Sequence, residues 1–517
     1  GNSHFNAYQI RGLAATQTWD GSGDTTWSAG SDATSWSGAA NTFIDGDAVQ
    51  FDSTVAGTVN ITGTVNPGSV SVSGANDYTF SGAGAIGGAG TLTKSGTGTL
   101  TLSGANTYTG ATTLNSGKLT IANNNALGTG TLTLAGGTLS SAAGAGYNLS
   151  EAIVVNGTTA VFTESNTGGT NFELTGDISG VGTLNFGGTG DGQGNRAVQV
   201  RDNLDGFTGT INFDNVSGKN TVLFYGVNTT AALELSGNTS SGYLGLQSAN
   251  ATFGELSGTG GRIMSWRKTL TINQDTDTTY AGTMVDANST NKLSFSKAGS
   301  GSLTLTGANT YTGATTVNNG TLIIDGDQSG ATGAMTINVS GTLAGSGMIG
   351  ASLLTVNGVI APGNSPGTLA TNSQLWNDGG SYLWEIDDAT GTQGADTGWD
   401  WLDITGTLDL TGLTAGGFTI DIDSLLHVDH TSGDALNFDL ETDYSFVIAS
   451  ATIGISGFDA SFFNLDDSGF TNEGWLWSIS ADANNIYLGA AAVPEPATYA
   501  LLGGLLALGH VMVRRRR

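Results

Sequence analysis

The stretch Ser103-Gly-Ala-Asn-Thr-Tyr-Thr-Gly-Ala-Thr-Thr-Leu-Asn-Ser-Gly-Lys-Leu-Thr-Ile121 returns as Thr306-Gly-Ala-Asn-Thr-Tyr-Thr-Gly-Ala-Thr-Thr-Val-Asn-Asn-Gly-Thr-Leu-Ile-Ile324. The offset is 203 throughout, and it also aligns Lys94 with Lys297. Each copy is led by a short alternation, Gly98-Thr-Leu-Thr-Leu102 and Gly301-Ser-Leu-Thr-Leu305. Successive strand side chains alternate, so Leu100 and Leu102 share one face and Thr99 and Thr101 the other. Gly104 and Gly110 punctuate the turns, and the Asn106 amide is suited to bonding nearby backbone. One such unit cannot bury its own leucine row, so units must stack. The expected fold is all-β: a right-handed parallel β-helix with Leu, Ile and Val inside and Thr ladders outside.

Weaker copies appear at Gly130-Thr-Leu-Thr-Leu134, Gly182-Thr-Leu-Asn-Phe186 and Thr279-Tyr-Ala-Gly282, whereas residues 140–290 depart from the pattern. Composition agrees with a turn-rich β protein. Of 517 residues only 11% are charged and 83 are Gly, against about 25% charged and about 7% Gly in ordinary chains. An apolar share of 38% with no blocks of charge argues against disorder. Zero cysteines exclude disulfides, thiolate metal sites and thiol catalysis.

Residues 1–493 hold 11 of the 15 Lys and Arg and 42 of the 43 Asp and Glu, so 11 − 42 gives −31. Such a body repels nucleic acid and anionic membrane, and no nucleic-acid partner is expected. The end is different. Val493-Pro494-Glu495-Pro496 is followed by the nearly all-apolar run 497–513 and then Arg514, Arg515, Arg516 and Arg517. Seventeen residues at a 1.5 Å rise give roughly 25 Å of helix, a little under a ~30 Å hydrocarbon core. A transmembrane helix over 497–513 is expected. Its four arginines act as a cytoplasmic stop, which puts the rest of the chain outside the cytoplasm. Export also needs a leader, yet Gly1 to Ala15 has no apolar stretch and the chain does not open on Met, which points to a processed or partial start.

Motif, span and basic stop in this order resemble the PEP-CTERM sorting signal of Gram-negative bacteria, over Val493 to Arg517. The resemblance implies recognition by an exosortase-type enzyme, transient insertion in the inner membrane, removal of the tail, and release or attachment at the cell surface. The runs Gly90–Ile121 and Leu293–Ile324 resemble the autotransporter-associated β-strand repeat. So do the following Gly341-Thr-Leu-Ala-Gly-Ser-Gly-Met-Ile-Gly350 and Ala361-Pro-Gly-Asn-Ser-Pro-Gly367. That implies a surface-displayed stalk or passenger-like module. Exopolysaccharide or other surface chains are the expected partners. No barrel-like segment follows the repeats, so a complete autotransporter is not expected.

The expected organisation is an N-terminal β cap with first rungs (1–89, with Trp19, Trp27 and Trp36), a β-solenoid (90–367, strong copies 90–121 and 293–324), an Asp- and Trp-rich β unit (368–490) and the tail (493–517). Alternation in Phe418-Thr-Ile-Asp-Ile-Asp423 and Tyr444-Ser-Phe-Val-Ile448 marks strands in the third part, which reads as a small sandwich or as widened final coils.

Catalytic patterns are few. Gly363-Asn364-Ser365-Pro366-Gly367 matches G-x-S-x-G, with His427 and His430 downstream, but Pro366 lacks the N–H that an oxyanion hole takes from the residue after the serine. Gly82-Ala-Gly84-Ala-Ile-Gly87 leads into more strand rather than a helix, so nothing there cradles a pyrophosphate. Asp275 and Asp277, close in sequence to Arg262, Arg267 and Lys268, are two carboxylates at i and i+2 of the kind that flank a sugar bond. A solvated charged turn accounts for them better. The Gly-His-Gly signature of pectinase-type enzymes is absent, and a non-enzyme is expected. Asp387, Asp388, Asp396, Asp400 and Asp403 are oxygen donors of the type that binds calcium. Without an EF-hand or Gly-Gly-x-Gly-x-Asp spacing, plain surface acidity is the stronger reading. The tryptophans of 368–490 read as core before they read as sugar platforms. The leading expectation is a structural or adhesive surface protein; the alternative is a secreted polysaccharide-active enzyme or carbohydrate-binding protein on the same scaffold.

Overall fold

The structure is a computed structural model that describes residues 14–21, 24–29, 35–38, 42–52, 55–163, 171–186, 196–201, 204–214, 220–237 and 242–493. The chain forms two compact units, Gly1–Leu270 and Thr271–Arg517. Each is a parallel β-solenoid.

In the first unit the strands Ser69–Val72, Thr91–Lys94, Thr112–Leu114, Leu132–Leu134 and Ile153–Val155 stack in parallel into one face. Tyr78–Ser81, Thr99–Leu102, Lys118–Ile121 and Thr138–Ser141 stack into another. Register puts like above like: Leu100 over Leu119 over Leu139, all without solvent exposure. Apolar residues thereby form continuous inner columns, which is what makes a stack of marginal rungs stable. The outer Thr rows are covered more than expected. Thr99, Thr101, Thr113 and Thr133 are half-buried, while Thr120 and Ser140 are buried and bonded to each other at 3.0 Å.

Rung length explains why residues 140–290 escape the repeat pattern. Leu92 pairs with Thr112 and Thr112 with Leu132, twenty residues on each time. Ile153 pairs with Ile178, and Phe172 with Val198, steps of 25 and 26. The added residues build a third parallel face, which opens at Tyr147–Leu149 and continues through Phe172–Leu174, Arg196–Arg201, Asn220–Tyr225, Tyr243–Leu246 and Arg262–Ser265. At the start of this unit Trp19, Trp27 and Trp36 are buried with Phe43, Phe51 and Phe80; Trp19 and Trp36 meet edge to face at 5.0 Å.

In the second unit one inner column runs Leu303, Leu322, Leu343, Ile360, Tyr382 and Ile420, and ends on the half-buried Leu465. The steps widen from about twenty residues to 38 (Tyr382 to Ile420) and 45 (Ile420 to Leu465). Parallel stacking thus carries through 368–469. Trp376 stacks on Phe418 at 4.4 Å, and the Trp384 indole N–H donates to the Asp400 carbonyl at 3.0 Å. The unit closes on an antiparallel hairpin, Trp475–Ala481 with Asn485–Ala492, the latter also antiparallel to Tyr444–Ala451.

The only regular helix among the described residues is the 3-10 turn Ala460–Phe462, and no described helix is long and apolar enough to cross a membrane. The expected span 497–513, Pro494, Glu495, Pro496 and Arg514 to Arg517 lie outside the described residues.

Candidate functional site

Each strong repeat builds a polar clamp inside the stack. Thr91–Lys94 alternates in and out, so Lys94 takes the inward place after Leu92 and has no solvent exposure. Its ammonium reaches the corner and donates to the carbonyls of Ser95 (2.6 Å), Gly96 (3.2 Å) and, one rung on, Ser116 (3.3 Å). Lys297 does the same to Ala298 (2.7 Å), Gly299 (3.0 Å) and Asn319 (3.3 Å). Two successive corners are tied by one cation. Burial lowers both lysines from their ordinary value, Lys297 to about 8, against the pull of Asp77 on Lys94 and of Asp275 and Asp277 on Lys297.

The rest of the motif serves the same end. Asn106 accepts from Ile86 N–H (2.9 Å) in the rung before and donates to the Ala126 carbonyl (2.7 Å) in the rung after. Tyr108 bonds the Thr112 hydroxyl at 2.7 Å, as Tyr311 bonds Thr315, and burial pushes both phenols up, Tyr311 to about 12. A β-carbon on Gly110 would sit on the Gly90 carbonyl oxygen, and one on Gly313 on that of Leu293. Glycine is required here by the close approach of stacked rungs rather than by a left-handed turn. Sequence reading aligned the two lysines and gave them no role; their inward parity in the strand was the available signal.

Asp275 and Asp277 do not converge on a common point. Asp275 accepts from the backbone and hydroxyl of Ser300 (both 2.9 Å) and Asp277 from Ser302 N–H (2.8 Å). These bonds hold both exposed carboxyls below the usual range, the opposite of what a general acid needs. Ser365 donates to the Glu385 carboxylate, and no described hydrogen bond joins it to His427 or His430.

The five aspartates of the 387–403 region separate into different roles. Asp400 is fully buried and accepts from the N–H groups of Gly367 (2.7 Å) and Glu385 (3.1 Å); burial, then the Glu385 charge, pushes it well up. Asp388 accepts from Thr390 and Asn437. Asp403 sits half-buried in a parallel ladder between Ala370 and Ser450. Asp387 and Asp396 instead meet His427 and His430. Asp387 Oδ2 lies 2.8 Å from His427 Nδ1, and Asp396 Oδ1 lies 3.1 Å from His430 Nε2. The Asp387 bond raises the half-buried His427 above its ordinary value. Sequence reading placed these histidines only in a hydrolase order; two of four histidines at i and i+3 inside an Asp-rich stretch was the missed signal.

None of the six C-terminal tryptophans is exposed: Trp376 and Trp384 are sealed, Trp475 and Trp477 are buried at 9% exposure, and the half-buried Trp399 and Trp401 donate to Val447 and Ser450. In the first unit, a cleft of about 280 Å³ is lined by Asn124, Gly146, Tyr147, Asn148, Asn171 and Glu173. Arg201 pairs with Glu173 at 3.1 Å and lies 4.3 Å over the Tyr225 ring.

With clamps in both strong copies, comparison with known families falls into place. The model of the Passenger-associated-transport-repeat matches residues 92–121 and 295–324, and the PEP-CTERM protein-sorting motif matches 492–517. The chain carries both. It is an exported surface β-solenoid. Over 93 residues, 18% of the chain, it is 40% identical to the "Adhesin BmaC autotransporter" of Brucella suis biovar 1 (strain 1330). The chain spans only 3% of the length of that relative. The matched repeats begin two residues before Lys94 and Lys297 and end on Ile121 and Ile324, so each contains one complete lysine–asparagine–tyrosine clamp.

Proposed function

We propose that the chain is a structural and adhesive surface protein, sorted through an exosortase-type enzyme that acts at Val493-Pro494-Glu495-Pro496. On this reading the span 497–513 holds the precursor transiently in the inner membrane, with Arg514 to Arg517 as its stop. The mature solenoid then sits at the cell surface or in the extracellular matrix. Its work is passive: stacked rungs set distance, and polar faces contact exopolysaccharide or other surface chains. The amide-lined cleft at Asn124, Asn148 and Asn171 supplies donors and acceptors of the kind that sugar hydroxyls require.

One observation carries the sorting reading. The last strand, Asn485–Ala492, is paired on both edges, and Val493 N–H donates to the Gly474 carbonyl at 2.7 Å while its side chain is exposed. The described backbone pairing therefore ends one residue before Pro494, and removal of everything beyond costs no described strand pairing. Intact-mass analysis of protein recovered from the native cell surface and medium tests this. Loss of the segment after about Pro494 is expected. A full-length species confined to the inner membrane overturns the sorting reading and leaves a tail-anchored solenoid.

A further inference from the structure

We propose that Asp387, Asp396 and His427 bind one divalent transition-metal ion of the zinc type, with His430 orienting Asp396. The site depends on the second unit alone and not on the sorting reading. The parallel strands Ser381–Ile386 and Phe418–Ser424 are in register, Ile386 beside Ser424, so both chains leave the sheet at one level. Asp387 is the first residue out on one side. On the other, the chain folds into a tight turn in which His430 N–H donates to the Leu426 carbonyl (2.9 Å) and Leu426 N–H to that of Thr431 (2.8 Å). His430 closes this turn in the left-handed conformation, at φ 52°. Asp396 arrives from the excursion between Thr392–Gln393 and Gly398–Trp399.

Ligand atoms of Asp387, Asp396 and His427 all lie within 4.8 Å of one another. Tetrahedral zinc, with bonds of about 2.0–2.1 Å, sets its donors about 3.4 Å apart. The 2.8 Å contact between Asp387 Oδ2 and His427 Nδ1 is a hydrogen bond whose proton the ion replaces, opening it by about half an ångström. The carboxylate is already aimed: Asp387 has no solvent exposure, and its other oxygen accepts from Gly398 N–H at 2.7 Å. His430 Nε2, 3.1 Å from Asp396 Oδ1 and 4.0 Å from Asp387 Oδ2, fixes the exposed carboxylate, the usual part of an outer-shell partner.

The donor set also chooses the metal. Calcium takes six to eight oxygens, and the nearby carboxylates are committed elsewhere, Asp400 to two backbone N–H groups and Asp388 to Thr390 and Asn437. Imidazole with carboxylate suits zinc and its first-row neighbours. An ion here cross-links three chain excursions that protein contacts alone hold through a few hydrogen bonds.

Calorimetric titration of the chelator-treated full chain with Zn²⁺ near neutral pH tests the site, with Ca²⁺ titrated in parallel. Expected are one equivalent of Zn²⁺ bound, a loss of at least about 100-fold in affinity in His427→Ala, and a loss of about 10- to 100-fold in His430→Ala. Asp396→Asn, at an exposed position, is a second ligand variant for which misfolding is no concern. Zn²⁺ binding unchanged in either His427→Ala or Asp396→Asn overturns the proposal, and so does Ca²⁺ binding at the same site as tightly as Zn²⁺.

Discussion

The two strong repeat copies share a sequence and differ in their surroundings. Around Lys94 the carboxylate acting on the ammonium is Asp77; around Lys297 there are two, Asp275 and Asp277. Asn106 both accepts and donates across three rungs, whereas Asn309 accepts from Met284 N–H at 2.6 Å and its buried amide hydrogens find no described partner. Lysine, tyrosine and glycine keep their places in both. What is invariant between copies is therefore the part that ties consecutive corners together, and what varies is how neighbouring rungs complete it. A motif that looks like a surface pattern of Thr, Asn and Gly is in fact a set of buried polar joints.

The largest effects should come from Gly110→Ala and Gly313→Ala. Each puts a methyl on a carbonyl oxygen of the rung below, and backbone rather than a flexible side chain must yield. A cost of about 2–4 kcal/mol in urea unfolding is expected for both. A neutral result in one copy would show that its rungs are free to spread. Next come Lys94→Ala and Lys297→Ala, each leaving three carbonyls without their cation, at about 2–3 kcal/mol. Hydrogen exchange should localise the loss to the corners at 95–96 and 116, or at 298–299 and 319. Exchange that rises uniformly over the unit would contradict a local joint.

Asn106→Ala against Asn309→Ala sharpens the comparison itself. The first removes two backbone bonds and the second one, so costs of about 2 and about 1 kcal/mol are expected. Equal losses would mean that the Asn309 amide is satisfied in solution and the copies are alike.

Much of this fold is legible in the sequence because a 20-residue rung repeats its turn chemistry in step with its Leu–Thr alternation. Leu100, Leu102 and Asn106 are readable from one copy alone, and stacking follows from their having nowhere else to be buried. Where rungs lengthen to 25, 38 and 45 residues the signal fails, since register is then set by excursions with no common length. The meeting of Asp387 with His427, forty residues apart, depends on one such register, Ile386 beside Ser424. No local pattern reports it, and the run of aspartates reads first as plain surface acidity and only second as an oxygen-only calcium site. Lys94 was missed for another reason: charge argues for the surface, and only strand parity argues for the core.

A pH dependence reads the clamp's charge. Burial holds Lys297 at about 8, below the roughly 10.4 of a free lysine. Between those values the unfolded chain binds the extra proton, so stability should rise with pH across that window. Below about 8 both states are protonated and the full penalty of the buried charge remains; above about 10.5 both are neutral and it is gone. Tyrosines and Lys118 titrate in the same range, so the measurable quantity is the difference in urea midpoint between the native chain and Lys297→Met, followed from pH 7.5 to 10.5. That difference should move in favour of the native chain as pH rises. The same experiment on Lys94→Met should give the same sign, because burial also lowers Lys94. A rise in one copy and none in the other would mean that the carboxylates outside the corner, rather than the three carbonyls inside it, govern the state of the ammonium.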